Sequence, residues 1–231
     1  MNRYLAEFIG TFALVFMGTG AIVMDVASGG AVTHVGIALT FGLIVMALIY
    51  ALGDISGTHI NPAVTIAFVV AKRFPAKDAL PYIVAQLLGA TAASGLLLGL
   101  FPDTSTLGAT IPAGPWWQSF VLEVVLTFVL MFVILNVSQG AKEKGIMAGA
   151  AIGAVVALEA LAAGPICGAS MNPARSFGPA IVGFQLADLW IYLIATTLGA
   201  VVAVPIFRSI QPPVAAPIAT DHDASPLDPT K

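Results

Sequence analysis

The eight residues SGTHINPA (56–63) return 111 positions later as CGASMNPA (167–174), and each copy leads into a short apolar run, 62–70 and 173–182. A helix that crosses a membrane needs roughly 20 apolar residues. These two runs are too short to cross, so they read as segments that enter the hydrocarbon layer and stop within it. Both begin with Asn-Pro-Ala. Pro suits the first turn of a helix because it has no N–H to leave unpaired, and it pushes the residue before it out of helical geometry. Asn61 and Asn172 are therefore expected to be the N-caps of two half-helices.

Working outward, 58% of the 231 residues are hydrophobic and only 9% are charged, against roughly a quarter charged in a soluble domain. Mean hydropathy is +0.97, which excludes a water-soluble globule. Apolar runs predict six spanning helices at 5–24, 34–52, 79–100, 117–137, 145–163 and 186–207, each near the length a bilayer requires. The run from Phe8 to Met24, entered through Glu7, is long for a signal peptide and lacks a small-x-small cleavage site. It is read as the first helix. Six spans leave no room for a separate catalytic domain, and no Ser-His pair, His-Glu-x-x-His or phosphate loop is present, so an enzyme is not expected. A net charge of -3 without a clustered basic face gives no nucleic-acid signature. The single Cys167 excludes a disulfide framework and a multi-cysteine metal site. No metal or cofactor is expected.

The duplication extends beyond the two loops. Glu7, Thr11, Phe12 and Phe16 recur in register as Glu123, Thr127, Phe128 and Phe132. The chain thus divides into repeats at about 3–100 and 117–207 within one transmembrane domain, 1–207. Three spans per repeat is an odd number, so the second repeat must enter the membrane from the opposite side. In such inverted repeats, broken helices meet near the midplane where a substrate passes. Arg3, Lys72, Arg73, Lys77, Lys142, Lys144, Arg208 and Lys231 all fall on one side of this six-span arrangement. Basic loops stay cytoplasmic, which places both termini there. Trp116, Trp117 and Trp190 mark helix ends at an interface. The segment 208–231, rich in Pro, Ala and Asp, lacks apolar periodicity and reads as a disordered tail.

Two half-helices entering from opposite sides aim two positive dipole ends and two Asn amides at one central point. That point repels cations. The irregular backbone before each cap should expose carbonyls to a polar path, from Gly57, Thr58 and His59 and from Gly168, Ala169 and Ser170. Acceptors along the path with donors at its middle force water dipoles to reverse, and that reversal interrupts a proton wire. Glu7 and Glu123 are expected to brace the loops by accepting backbone N–H groups. Arg175, in the first turn of the second half-helix, is a buried cation and so reads as functional.

The stretches GDISGTHINPAVTIAF and AGPICGASMNPARSFGPA closely resemble the two signature loops of the aquaporin, or major intrinsic protein, family. The resemblance covers about residues 3–207. It implies an all-α, right-handed bundle of six transmembrane helices and two re-entrant half-helices. It also implies a homotetramer in membrane lipid with one pore per subunit, passing water and small uncharged solutes and excluding protons and ions. The second loop and the run LWIYLIATTLGA look most like nodulin-like intrinsic proteins of plants and their bacterial relatives, implying a bacterial inner membrane. Spacing from the motifs carries the family's constriction onto Phe41, Ala160, Ala169 and Arg175. Water-restricted members have His where Ala160 stands, so a wider opening is implied, suited to glycerol, urea or a metalloid acid. Ser176 replaces the Asp of glycerol facilitators, which keeps a strict water channel as the alternative. Two further departures are Asp54 in place of His, read as a solvated carboxylate near Lys72 and Arg73, and Glu159 beside the constriction. His59 is expected in the cytoplasmic vestibule and His34 at the interface; Cys167 is expected either packed among apolar groups or near the outer mouth. An ion-coupled transporter using Glu7, Glu123 and Glu159 ranks lower, because 231 residues leave little for moving bundles.

Overall fold

The computed structural model of the chain describes residues 2–104, 106–138 and 142–211. Its helices are α1 (Arg3–Ala27), α2 (Thr33–Ser56), α3 (Pro62–Val70), α4 (Ala76–Leu100), α5 (Trp116–Val137), α6 (Lys142–Cys167), α7 (Pro173–Val182) and α8 (Leu189–Ile210). Six are long and apolar enough to cross a membrane, and the protein is an integral membrane protein with an all-α fold. The half-helices occupy the two short runs read from the sequence.

Several ends differ from expectation. Helices α2 and α6 run on past 52 and 163 to Ser56 and Cys167. Gly53 and Gly164 interrupt the apolar reading but not the backbone. The stop comes at Gly57 and Gly168, whose φ of 81° and 83° is the left-handed ending that glycine permits. Helix α8 begins at Leu189 rather than 186, because a turn closed by the Leu189 N–H on the Leu186 carbonyl, 3.3 Å, precedes it. It also continues through 208–210, which composition alone assigns to the tail; residues 212–231 of that tail lie outside the described residues.

The two repeats pack alike. Helix α1 lies on α4 and α2, α5 lies on α8 and α6, and α2 meets α6 between the repeats. Glycines set these approaches. A Cβ on Gly42 would stand 2.5 Å from the Gly153 carbonyl oxygen, and one on Gly153 would stand 2.6 Å from that of Gly42. Gly89 abuts the Phe8 carbonyl and Gly199 abuts the Val124 carbonyl, the same contact made once in each repeat. Each half-helix packs against the last helix of the other repeat, α3 on α8 and α7 on α4. Outward faces carry apolar stripes such as Val121, Val125 and Val129, all exposed, as lipid contact requires.

Candidate functional site

The centre is built from the caps. Asn61 Oδ1 accepts the N–H groups of Ala63 and Val64 at 2.9 and 3.5 Å, and Asn172 Oδ1 accepts those of Ala174 and Arg175 at 2.9 and 3.4 Å. The amide nitrogens do more than face a lumen. Asn61 Nδ2 donates to the Met171 carbonyl and Asn172 Nδ2 donates to the Ile60 carbonyl, each at 2.8 Å. Each cap therefore ties its own half-helix to the other repeat's loop, and one N–H of each amide remains for the path.

The loops before the caps are held in unusual backbone. Thr58 and Ile60 have φ of 46° and 42°, and Ala169 and Met171 have φ of 40° and 54°. A left-handed non-glycine residue costs about 1–3 kcal/mol and persists only where its surroundings over-determine it. Here the surroundings are the two carboxylates. Glu7 accepts the N–H groups of His59 and Ile60 at 2.9 and 2.6 Å, together with Ser56 Oγ and Gln86 Nε2, both at 2.7 Å. Glu123 accepts the N–H groups of Ser170 and Met171 at 2.7 and 2.9 Å. Both glutamates are fully buried.

The expected path residues come together. Gly57, Thr58, His59, Asn61, Ala169, Ser170 and Asn172 line one central and inner cavity, and Gly168 lines an outer cavity that shares Ala169 and Arg175 with it. Phe41, Ala160, Ala169 and Arg175 all line that outer cavity. Arg175 is 3% exposed. Its Nη1 donates to the Gly108 carbonyl at 2.7 Å, and its guanidinium sits 5.0 Å from the Phe41 ring centre. Phe41 in turn rests on Gly18, where any Cβ would collide with the ring. His59 lines the inner cavity, its Nδ1 3.1 Å from Thr65 Oγ1, and is enclosed by Phe68, Phe74 and Tyr82.

Sequence reasoning missed the loop between α4 and α5. Besides the Gly108 carbonyl, it supplies Thr110, whose Oγ1 lies 2.8 Å from Ser176 Oγ, and Ser176 Oγ is 2.6 Å from Ser170 Oγ. The Ala113 N–H reaches the Ile166 carbonyl at 3.0 Å. This chain of hydroxyls gives Ser176 a role in holding the outer loop. His34 is more than interfacial: it lines the outer cavity, with Nε2 2.9 Å from the Leu161 carbonyl oxygen. Cys167 is buried. Asp54 is exposed and pairs with neither Lys72 nor Arg73; among the described residues the one ion pair is Arg3 with Asp78, 2.8 Å. Arg73 instead donates to the Leu135 carbonyl and Ser138 Oγ at 3.0 and 3.3 Å, while Arg208 donates to the Val70 carbonyl at 3.0 Å. These two cations lie together at one end of the bundle, where burial and the neighbouring Arg208 hold the Arg73 guanidinium below its ordinary pKa.

Comparison with known proteins agrees with this architecture. The family described as Major intrinsic protein matches residues 1–207. Aquaporin NIP1-1 of Oryza sativa subsp. japonica is 46% identical over 202 residues, which span 87% of this chain and 71% of that protein. Aquaporin NIP1-4 of the same plant is 49% identical over 201 residues, spanning 87% of this chain and 73% of its own. Among solved structures, the aquaglyceroporin from Plasmodium falciparum is similar with a TM-score of 0.81 at 25% identity, covering 90% of this chain and 95% of that one.

Proposed function

The chain belongs to the major intrinsic protein family, and from that premise we propose how its pore is used. The protein is a passive transmembrane channel for water and small uncharged solutes, and it is not an enzyme. Asn61 and Asn172 with their Pro-Ala partners form the central barrier to protons, and carbonyls of 57–59 and 168–170 carry the solute. Phe41, Ala160, Ala169 and Arg175 form the constriction. The observation that carries the solute reading is the outer cavity itself: two Ala and one aromatic ring face a fixed guanidinium. Arg175 supplies donors for hydroxyl or carbonyl oxygens, and the Phe41 and Ala walls accept a carbon or metalloid body. Glycerol, urea and boric acid fit that chemistry. The similarity to an aquaglyceroporin supports it. A strict water channel is the second reading, favoured by Ser176 and its hydroxyl chain.

The working unit is a homotetramer, a reading supported by family membership, and both termini are cytoplasmic, supported by the cations gathered at one end. The expected bacterial inner membrane draws no support from the similar proteins, which are plant aquaporins and an aquaglyceroporin from Plasmodium falciparum. Stopped-flow light scattering on proteoliposomes tests the proposal. An impermeant sugar should give fast shrinkage, and glycerol, urea or boric acid should give fast re-swelling that Ala160→His suppresses. Fast shrinkage without re-swelling would select the strict water channel, and no acceleration of either would overturn the channel reading.

A further inference from the structure

Placing one repeat on the other shows an unequal balance around the two bracing carboxylates. The register is fixed by equivalent contacts: Asn61 with Asn172, Gly42 with Gly153, and Gly89 with Gly199. Glu7 takes four strong donors, from Ser56, His59, Ile60 and Gln86. Glu123 takes two of that strength, from Ser170 and Met171, with only the weak thiol of Cys167 beside them. In this register Cys167 stands where Ser56 does, and its weak S–H lies 3.5 Å from the Ala163 carbonyl. Thr196 stands where Gln86 does, and its hydroxyl is spent on the Tyr192 carbonyl at 2.5 Å.

The second repeat carries one difference in the opposite direction. The same register sets Glu159 of α6 against Leu48 of α2, a core residue. Glu159 is 3% exposed, and neither of its carboxyl oxygens has a protein partner. Helix α6 packs on α5, the helix that carries Glu123. An ionised carboxylate in this place would lie unpaired beside a second anion, at a cost that buried groups avoid by keeping their proton. A neutral acid carries an O–H donor, which itself needs an acceptor. Glu123 is the acceptor short of strong donors.

We propose that Glu159 is a positioning residue, held as a neutral carboxylic acid, whose O–H is directed at the Glu123 carboxylate and helps fix the outer loop 168–172. It does for the second repeat what Gln86 does for the first, with a side-chain rotation or one bridging water closing the gap. One negative charge then remains on Glu123, matched by one positive charge on Arg175. The effect on flux rests on the channel reading above; the protonation state does not.

The test uses the full chain in liposomes, as wild type, Glu159→Gln and Glu159→Leu. Infrared difference spectra between wild type and Glu159→Gln should contain the carbonyl stretch of a protonated acid, shifting in heavy water. Glu159→Gln keeps a donor and should conduct within about twofold of wild type, while Glu159→Leu should lose roughly fivefold or more, the factor one buried hydrogen bond represents. A space-filling role predicts the reverse, since Leu is what the first repeat has. The proposal is overturned if the acid band is absent, if Glu159→Leu conducts like wild type, or if Glu159→Gln fails as badly as Glu159→Leu. Failure of Glu159→Leu to fold while Glu159→Gln folds and conducts supports it. Should even the wild type conduct nothing, the channel reading fails while the infrared band still decides the state of Glu159.

Discussion

Asn61 donates its amide N–H to the carbonyl of Met171, 2.8 Å away and 110 residues later, and with the reciprocal bond from Asn172 to Ile60 it joins the two repeats at the meeting point of the half-helices. Replacing Asn172 with Ala removes this link and a helix cap together. A cap is worth ~1 kcal/mol and a buried hydrogen bond ~1 kcal/mol more. Thermal unfolding in detergent should show Asn172→Ala destabilised by about 2 kcal/mol, and Asn172→Ser, which retains a cap but not the amide donor, by less. Equal stability of wild type and Asn172→Ala would mean that the link contributes nothing.

Glu7 is expected to be the least replaceable residue of the inner loop. Glu7→Ala strands four donors, one of them the N–H of the left-handed Ile60, at ~1–3 kcal/mol for each that stays buried and unpaired. The variant should not be recoverable as a monodisperse protein, whereas Glu7→Gln should fold with a loss of roughly 1–3 kcal/mol. Size-exclusion profiles after extraction check both, and a well-behaved Glu7→Ala protein would show that the loop is held by other means.

Removing the guanidinium should open the path to protons before it widens it for solutes. A unit charge about 4 Å from a passing cation is worth ~4 kcal/mol at an effective dielectric constant near 20, so Arg175→Val should raise proton leak by at least roughly tenfold. A pH-sensitive dye trapped in proteoliposomes measures this. An unchanged leak would assign proton exclusion wholly to the Asn caps and the half-helix dipoles.

Two glycines should behave oppositely. Gly153→Ala puts a methyl against the Gly42 carbonyl and should cost about 1–3 kcal/mol as α2 and α6 are forced apart. A Cβ at Gly95 would meet nothing within 4 Å, so Gly95→Ala should be neutral or stabilising by up to ~1 kcal/mol. Melting temperatures of the pair distinguish close helix contact from mere helix propensity.

What can be read in the sequence is local. Pro62 and Pro173 with their preceding Asn fix the starts of α3 and α7 through contacts within four residues, and the repeated Glu marks the braces because its register survives in both halves. The loop of Gly108 and Thr110 is invisible for the opposite reason. It has no apolar period, and its partners Arg175 and Ser176 lie 67 and 66 residues away. The crossing of the Asn amides to Met171 and Ile60 is hidden likewise, since capping predicts where the oxygen goes and is silent on the nitrogen. The helix ends at Ser56 and Cys167 read too early because Gly53 and Gly164 resemble breakers, although the left-handed turn comes at the glycine that follows.

Phe41 rests on the bare backbone of Gly18, one helix behind the wall it forms. The proposed constriction is therefore set partly at a position that lines neither cavity. A single methyl at Gly18 would force the ring to move, so the proposed opening can be retuned by inheritance or by design without altering one residue of its lining.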